Sequence, residues 1–151
     1  MDRIQYATAI PTITTGSAYA SGNALGGLLT FSGIVTRGYS SIYSVTIVDK
    51  SGQNSAMDLI LFSQSFTPTA DKSAIAISTA DAANAIMNLK VVAGDWSNCG
   101  TPSIATKTQL FVGAIGTVDN NLYGQLICRG TPTFTGANDL IIKIASEIGI
   151  L

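Results

Sequence analysis

Residues able to act as nucleophiles, acids or metal ligands are sparse in this chain, and one type is missing. The 151 residues include no histidine. Histidine is the commonest general base and the usual transition-metal ligand. Its absence removes Ser-His-Asp and Cys-His catalysis, histidine zinc sites and facial-triad iron together. Two cysteines, Cys99 and Cys128, are too few for a four-thiolate zinc site and lie outside any CxxC spacing. Lys72-Ser73 has no glycine before it and Lys50-Ser51 follows Asp49, so neither closes a phosphate-cradling GK[ST] loop. Gly22, Gly26 and Gly27 do not form GxGxxG.

Carboxylates are the remaining route to acid–base work. The nine acidic residues are mostly isolated and mostly sit beside turn formers. Asp49 to Asp58 (DKSGQNSAMD) gathers several oxygens and invites a calcium reading. It departs from the EF-hand pattern, because Gly52 falls at the fourth position and no glutamate closes the loop. An ordinary hairpin turn is the better reading. Asp119-Asn120-Asn121 is read the same way, since Asx side chains favour turns by bonding nearby backbone. Trp96 is expected to pack as a lid on the core, with exposed recognition as the other reading. Tyr39 and Tyr43 are read as core or subunit contacts. The chain is therefore expected not to be an enzyme, with no catalytic, cofactor or metal residue.

The elements that would carry these residues are strands. Leu28 to Val35, Ile42 to Val48, Met57 to Phe62, Leu89 to Ala93, Thr106 to Val112, Leu122 to Arg129 and Leu140 to Ala145 are apolar or alternating stretches bounded by Gly, Pro and Asx turns. Tyr43, Val45 and Ile47 are expected on one face of their strand. In Leu122 to Arg129, Leu122, Leu126 and Cys128 are expected to oppose Tyr123, Gln125, Ile127 and Arg129. A short helix is expected near 79–88, capped by Ser78 or Thr79 with Asp81 in its first turn. Residues 1–27 read as an extended N-terminal arm, with at most a short strand at Ile4 to Ile10 and with Ile4, Tyr6, Ile10 and Ile13 as apolar anchors onto a partner. Removing residues 1–15 should then leave the fold intact. The rest, 28–151, reads as one domain: an all-β antiparallel sandwich, jelly-roll-like.

Composition narrows the partners. The chain is 46% hydrophobic but only 11% charged, with a net charge of −1. Solubility usually rests on scattered surface charge, so such a surface suits a protein covered by an assembly. No basic footprint for nucleic acid or membrane is present. No apolar run reaches the roughly 18–20 residues of a membrane span, and no signal peptide is recognised. Reduced and buried thiols are expected for both cysteines, with a disulfide left open. The C-terminal Ile148, Ile150 and Leu151 are further candidate assembly contacts, or a strand end tucked into its own core.

Together, AYASGNALGG (Ala18 to Gly27), SIYSVTIVDKSG (Ser41 to Gly52), DLILF (Asp58 to Phe62) and VVAGDW (Val91 to Trp96) resemble small structural proteins of tailed phages. Those are capsid decoration, or cement, proteins of jelly-roll type. The resemblance covers residues 18–96 and assigns no catalytic residue. It implies a virion protein on the outer capsid surface, made in the host cytoplasm, with the major capsid protein as partner and a dimer or trimer as the homo-oligomer. A receptor- or carbohydrate-binding head of a phage tail or adhesin is the alternative, with Trp96 and Tyr123 as its candidate loop aromatics.

Overall fold

The computed structural model describes residues 3–35, 40–108 and 119–148, with the backbone alone at Ile148. Its strands are β1 (Arg3–Ala9), β2 (Ala24–Phe31), β3 (Ser41–Asp49), β4 (Met57–Phe62), β5 (Ala85–Val91), β6 (Trp96–Asn98), β7 (Ser103–Thr108), β8 (Leu122–Cys128) and β9 (Leu140–Ile148). One sheet runs β1-β9-β3-β7-β6 and the other β2-β8-β4-β5, with every pairing antiparallel. Without the short β6, these are two four-stranded sheets between which the chain passes at nearly every connection. Only β4 to β5 stays in one sheet. That is the doubled Greek key of a jelly roll.

The inner faces close one core. Leu25, Leu29 and Phe31 from β2, Leu59 and Leu61 from β4 and Leu126 from β8 pack against Ile47, Ile142 and Ile144 of the opposite sheet. A smaller cluster of Phe62, Phe66 and Tyr123, supported by Ile60 and Ile77, lies on the far side of the four-stranded sheet. It forms because residues 63–77 fold back over that face. The Phe62 and Phe66 rings stack with centroids 4.0 Å apart. β4 and β8 are therefore covered on both faces. All seven residues of β8 are buried, and the expected two sides hold: Leu122, Leu126 and Cys128 enter the main core, while Tyr123 joins the outer cluster and Gln125 bonds the covering loop.

Local chemistry corrects several expectations. The helix α1 covers only Thr79–Ala82, with Ser78 Oγ accepting from Asp81 N. Residues 85–88 belong to β5, because Ala85 to Asn88 pair with Phe62 to Ile60 of β4. Tertiary pairing there overrides a weak helix propensity. A β-bulge between Ile42 and Ser44 on β3 puts Ile42, Val45 and Ile47 in the core and leaves Tyr43 48% exposed. An inserted residue shifts the alternation by one.

The expected arm is drawn into the sandwich. β1 pairs along β9, from Arg3 opposite Ile148 to Ala9 opposite Ile142. Beyond it, Ile13 and Tyr19 are buried, and the 27/28 boundary falls inside β2. One carboxylate fixes this region. Asp71 accepts from Thr14 N, Thr14 Oγ1, the Tyr19 hydroxyl and Gly26 N at 2.7–3.0 Å. Gly26 has φ of +74°, and a Cβ there would meet Pro11 Cβ at 2.4 Å, so only glycine fits.

Candidate functional site

Most of the described carboxylates are already engaged by hydrogen-bond donors or cations. Asp49 accepts from Ser51 N, Ser51 Oγ and Gln53 N at 2.7–3.0 Å, an Asx turn that carries the chain from β3 in one sheet to β4 in the other, so the hairpin expected around this turn does not form. Asp139 accepts from Thr135 and Gly136 in the turn before β9. Asp95 pairs with Lys107 at 2.7 Å. That contact, and then the Val92 N–H, hold its carboxyl below the usual range. Asp119 accepts from the Tyr123 hydroxyl, which lowers the carboxyl and raises the phenol. Among the described residues, no group of three or more cysteines and acids could hold a metal ion. No described helix is long and apolar enough to cross a membrane.

The cysteines are both free. Cys99 is exposed, against the expectation of burial, and Cys128 is in the core. Burial pushes the Cys128 thiol up, so it is held as the neutral form. Trp96 packs as the expected lid, with its indole N–H donating to the Ser55 carbonyl at 3.0 Å. Tyr123 is buried as well. Neither ring is free to stack on a ligand.

What the fold does present is the outer face of the five-stranded sheet. Alternation along β1 turns Ala7 and Ala9 inward and Ile4, Tyr6 and Thr8 outward. Tyr6 is 72% exposed, and Ile4 and Ile10 are about half exposed. Register then builds rows across the strands. Ile141 of β9, Val48 of β3 and Ile104 of β7 lie side by side, with Ile10 just past the end of β1. A second row runs Tyr6, Ala145, Ser44 and Thr108. Between them lie Thr8, Lys143, Thr46 and Thr106, with the last two hydroxyls 3.0 Å apart. The bulge adds Tyr43 to this face. The result is a weakly charged, apolar-studded surface on four strands. Exposed apolar patches of this kind mark interaction surfaces.

Of the candidate assembly contacts, Ile4, Tyr6 and Ile10 are brought to this face. Ile13, 3% exposed, belongs to the protein's own core instead. Ile148 pairs its backbone with Arg3, and Ile150 and Leu151 lie outside the described residues. Sequence reasoning offered Tyr43 as a core or subunit contact but missed Val48, Ile104 and Ile141. The alternation of each strand carried part of that signal, but the register joining the strands did not show in it. No protein-family model matches this chain, and no curated protein matches it either.

Proposed function

We propose that this chain is a structural virion protein that decorates a tailed-phage capsid and cements it by binding across neighbouring capsid subunits. The observation that carries this reading is the outer face centred on Ile4, Tyr6 and Ile10, which leaves large apolar side chains in solvent on a protein with few charges. Burying such a face is worth about 25 cal/mol per Å² of apolar area. An interface of ordinary size covers ~1,600 Å² in total. Engaging several capsid subunits at once, as a dimer or trimer, multiplies residence time without new chemistry. The jelly-roll sandwich and the occupied carboxylates support a role carried by surfaces.

The test is decoration of isolated heads by the triple variant Ile4→Ser, Tyr6→Ser, Ile10→Ser. These side chains point away from the core, so the fold should survive, as read by circular dichroism and melting. Capsid occupancy should fall at least about tenfold, the equivalent of ~1.4 kcal/mol. A folded variant that still decorates heads at full stoichiometry refutes the proposal. The glycan-binding alternative loses its two candidate aromatics, because Trp96 and Tyr123 are buried.

A further inference from the structure

The opposite sheet carries a different kind of surface. Residues 63–77 cover its outer side at Phe62, Tyr123 and Gln125, where Gln125 donates to the Thr69 and Gly26 carbonyls. At the other end, Ala56, Asp58, Lys90, Val91, Val92 and Arg129 line a cavity of about 280 Å³. Asp58 is 5% exposed, and its carboxylate accepts from Arg129 Nε at 2.8 Å. A buried carboxylate without a cation would be strongly disfavoured, so this contact fixes where the guanidinium lies. It uses Nε alone. The two terminal nitrogens of Arg129 have no protein partner among the described residues.

Lys90 stands opposite Asp58 in the β4–β5 register, is exposed, and forms no ion pair among the described residues. Two cations and one carboxylate leave one positive charge uncompensated. A guanidinium with both terminal nitrogens open matches a carboxylate bidentately. A monoanion balances the remaining charge, whereas a phosphate dianion would exceed it beside Asp58. Val92, 55% exposed, supplies an apolar wall. A second cavity of about 320 Å³ shares Ala56 and is lined by Gln53, Asn54, Ser55 and Thr131 among others. Amides and hydroxyls of that kind exchange hydrogen bonds with ligand hydroxyls.

We infer that this double cleft binds a sugar acid, with its carboxylate on Arg129 and Lys90 and its hydroxyls towards Gln53 and Thr131. The site lies on the other sheet from the apolar face and stands independently of the capsid reading. Titration of the full chain with glucuronate and with N-acetylneuraminate, followed by amide and Arg129 Nε–H NMR shifts, tests it. At least one of the two should give saturable shifts at Lys90, Val92 and Arg129, with a Kd of about 1 mM or below. Neutral glucose should give none, and acetate should bind about tenfold more weakly. Lys90→Gln, an exposed change, should weaken binding about fivefold or more, and Arg129→Lys should weaken it further by losing the fork. The inference is overturned if neither sugar acid gives saturable shifts, if acetate binds as well as they do, or if Lys90→Gln binds unchanged. A glutamate-rich peptide occupying the cleft in place of both sugar acids overturns it too.

Discussion

Asp71 joins three stretches of chain through four donors, and two of these are the Tyr19 hydroxyl and the Gly26 amide. Asp71→Ala removes the acceptor and leaves those donors without it. Stability should fall by about 2–4 kcal/mol, read as a lower urea midpoint at unchanged m-value. Tyr19 adds a pH dependence. Burial first, and then the Asp71 carboxylate, push its phenol well above its ordinary value of 10.0. The folded state therefore keeps the proton after the unfolded chain has lost it. This contribution is complete below pH 10 and is lost as pH rises beyond it. Stability above pH 10 should fall by up to about 1.4 kcal/mol per pH unit from this group, and Tyr19→Phe should flatten that slope. Some of this scale was legible beforehand. Trp96 as a core lid follows from a large apolar ring in a polar loop. The Asp58–Arg129 contact was not legible, because its partners are 71 residues apart and meet only through the β4–β8 pairing.

Among the elements, the positions of tight turns were the easiest to read and lone apolar stretches the hardest, although the expected hairpin at the first of these turns is a crossing between sheets. The DKSG turn is set by Asp49 and by Gly52, whose φ is +63°. A Cβ on Gly52 would lie 2.1 Å from the Thr101 carbonyl oxygen. Gly52→Ala should cost about 2–4 kcal/mol, combining left-handed strain with that clash, and should show as a lower melting temperature. The fate of β1 depends on the same kind of pairing. Deleting residues 1–15 removes a whole strand from β9 and takes Ala7, Ala9 and Ile13 out of the core. The truncated chain should lose several kcal/mol, about 3 or more, and aggregate through the bared β9 edge, as read by melting and light scattering. A segment rich in Thr, Ala and Ser resembles a solvated arm because small inward residues carry little hydrophobic signal. Ala7 and Ala9 are such residues. Ala85 to Met87 misled in the opposite direction, since their helical spacing is equally an edge-strand sequence when β4 lies alongside.

For the whole molecule, the two-layer β architecture follows from strand spacing and the lack of long amphipathic helices, and it was legible. Strand order was not, because alternation says which face is buried and nothing of which strand lies next. The jelly-roll order places contacts between distant parts of the chain, so refolding should take milliseconds to seconds or longer in stopped-flow fluorescence of Trp96. Sparse charge has a second outcome. If capsid binding uses the apolar face, its affinity should change less than about threefold between 50 and 500 mM salt, since little of it is Coulombic.

The two ends of the five-stranded sheet are unequal. At one end β6 offers three residues, two of them the exposed Ser97 and Asn98. At the other, β1 offers a seven-residue rim with no proline and Arg3 as its only charge. The long rim is the larger of the two places at which this sheet could continue. Two copies joined rim to rim through β1 would form a ten-stranded sheet about a twofold axis, ending at both sides in the stub of β6. Such a union is closed about its twofold: each long rim is used up by the other, and that sheet then ends only in three-residue stubs.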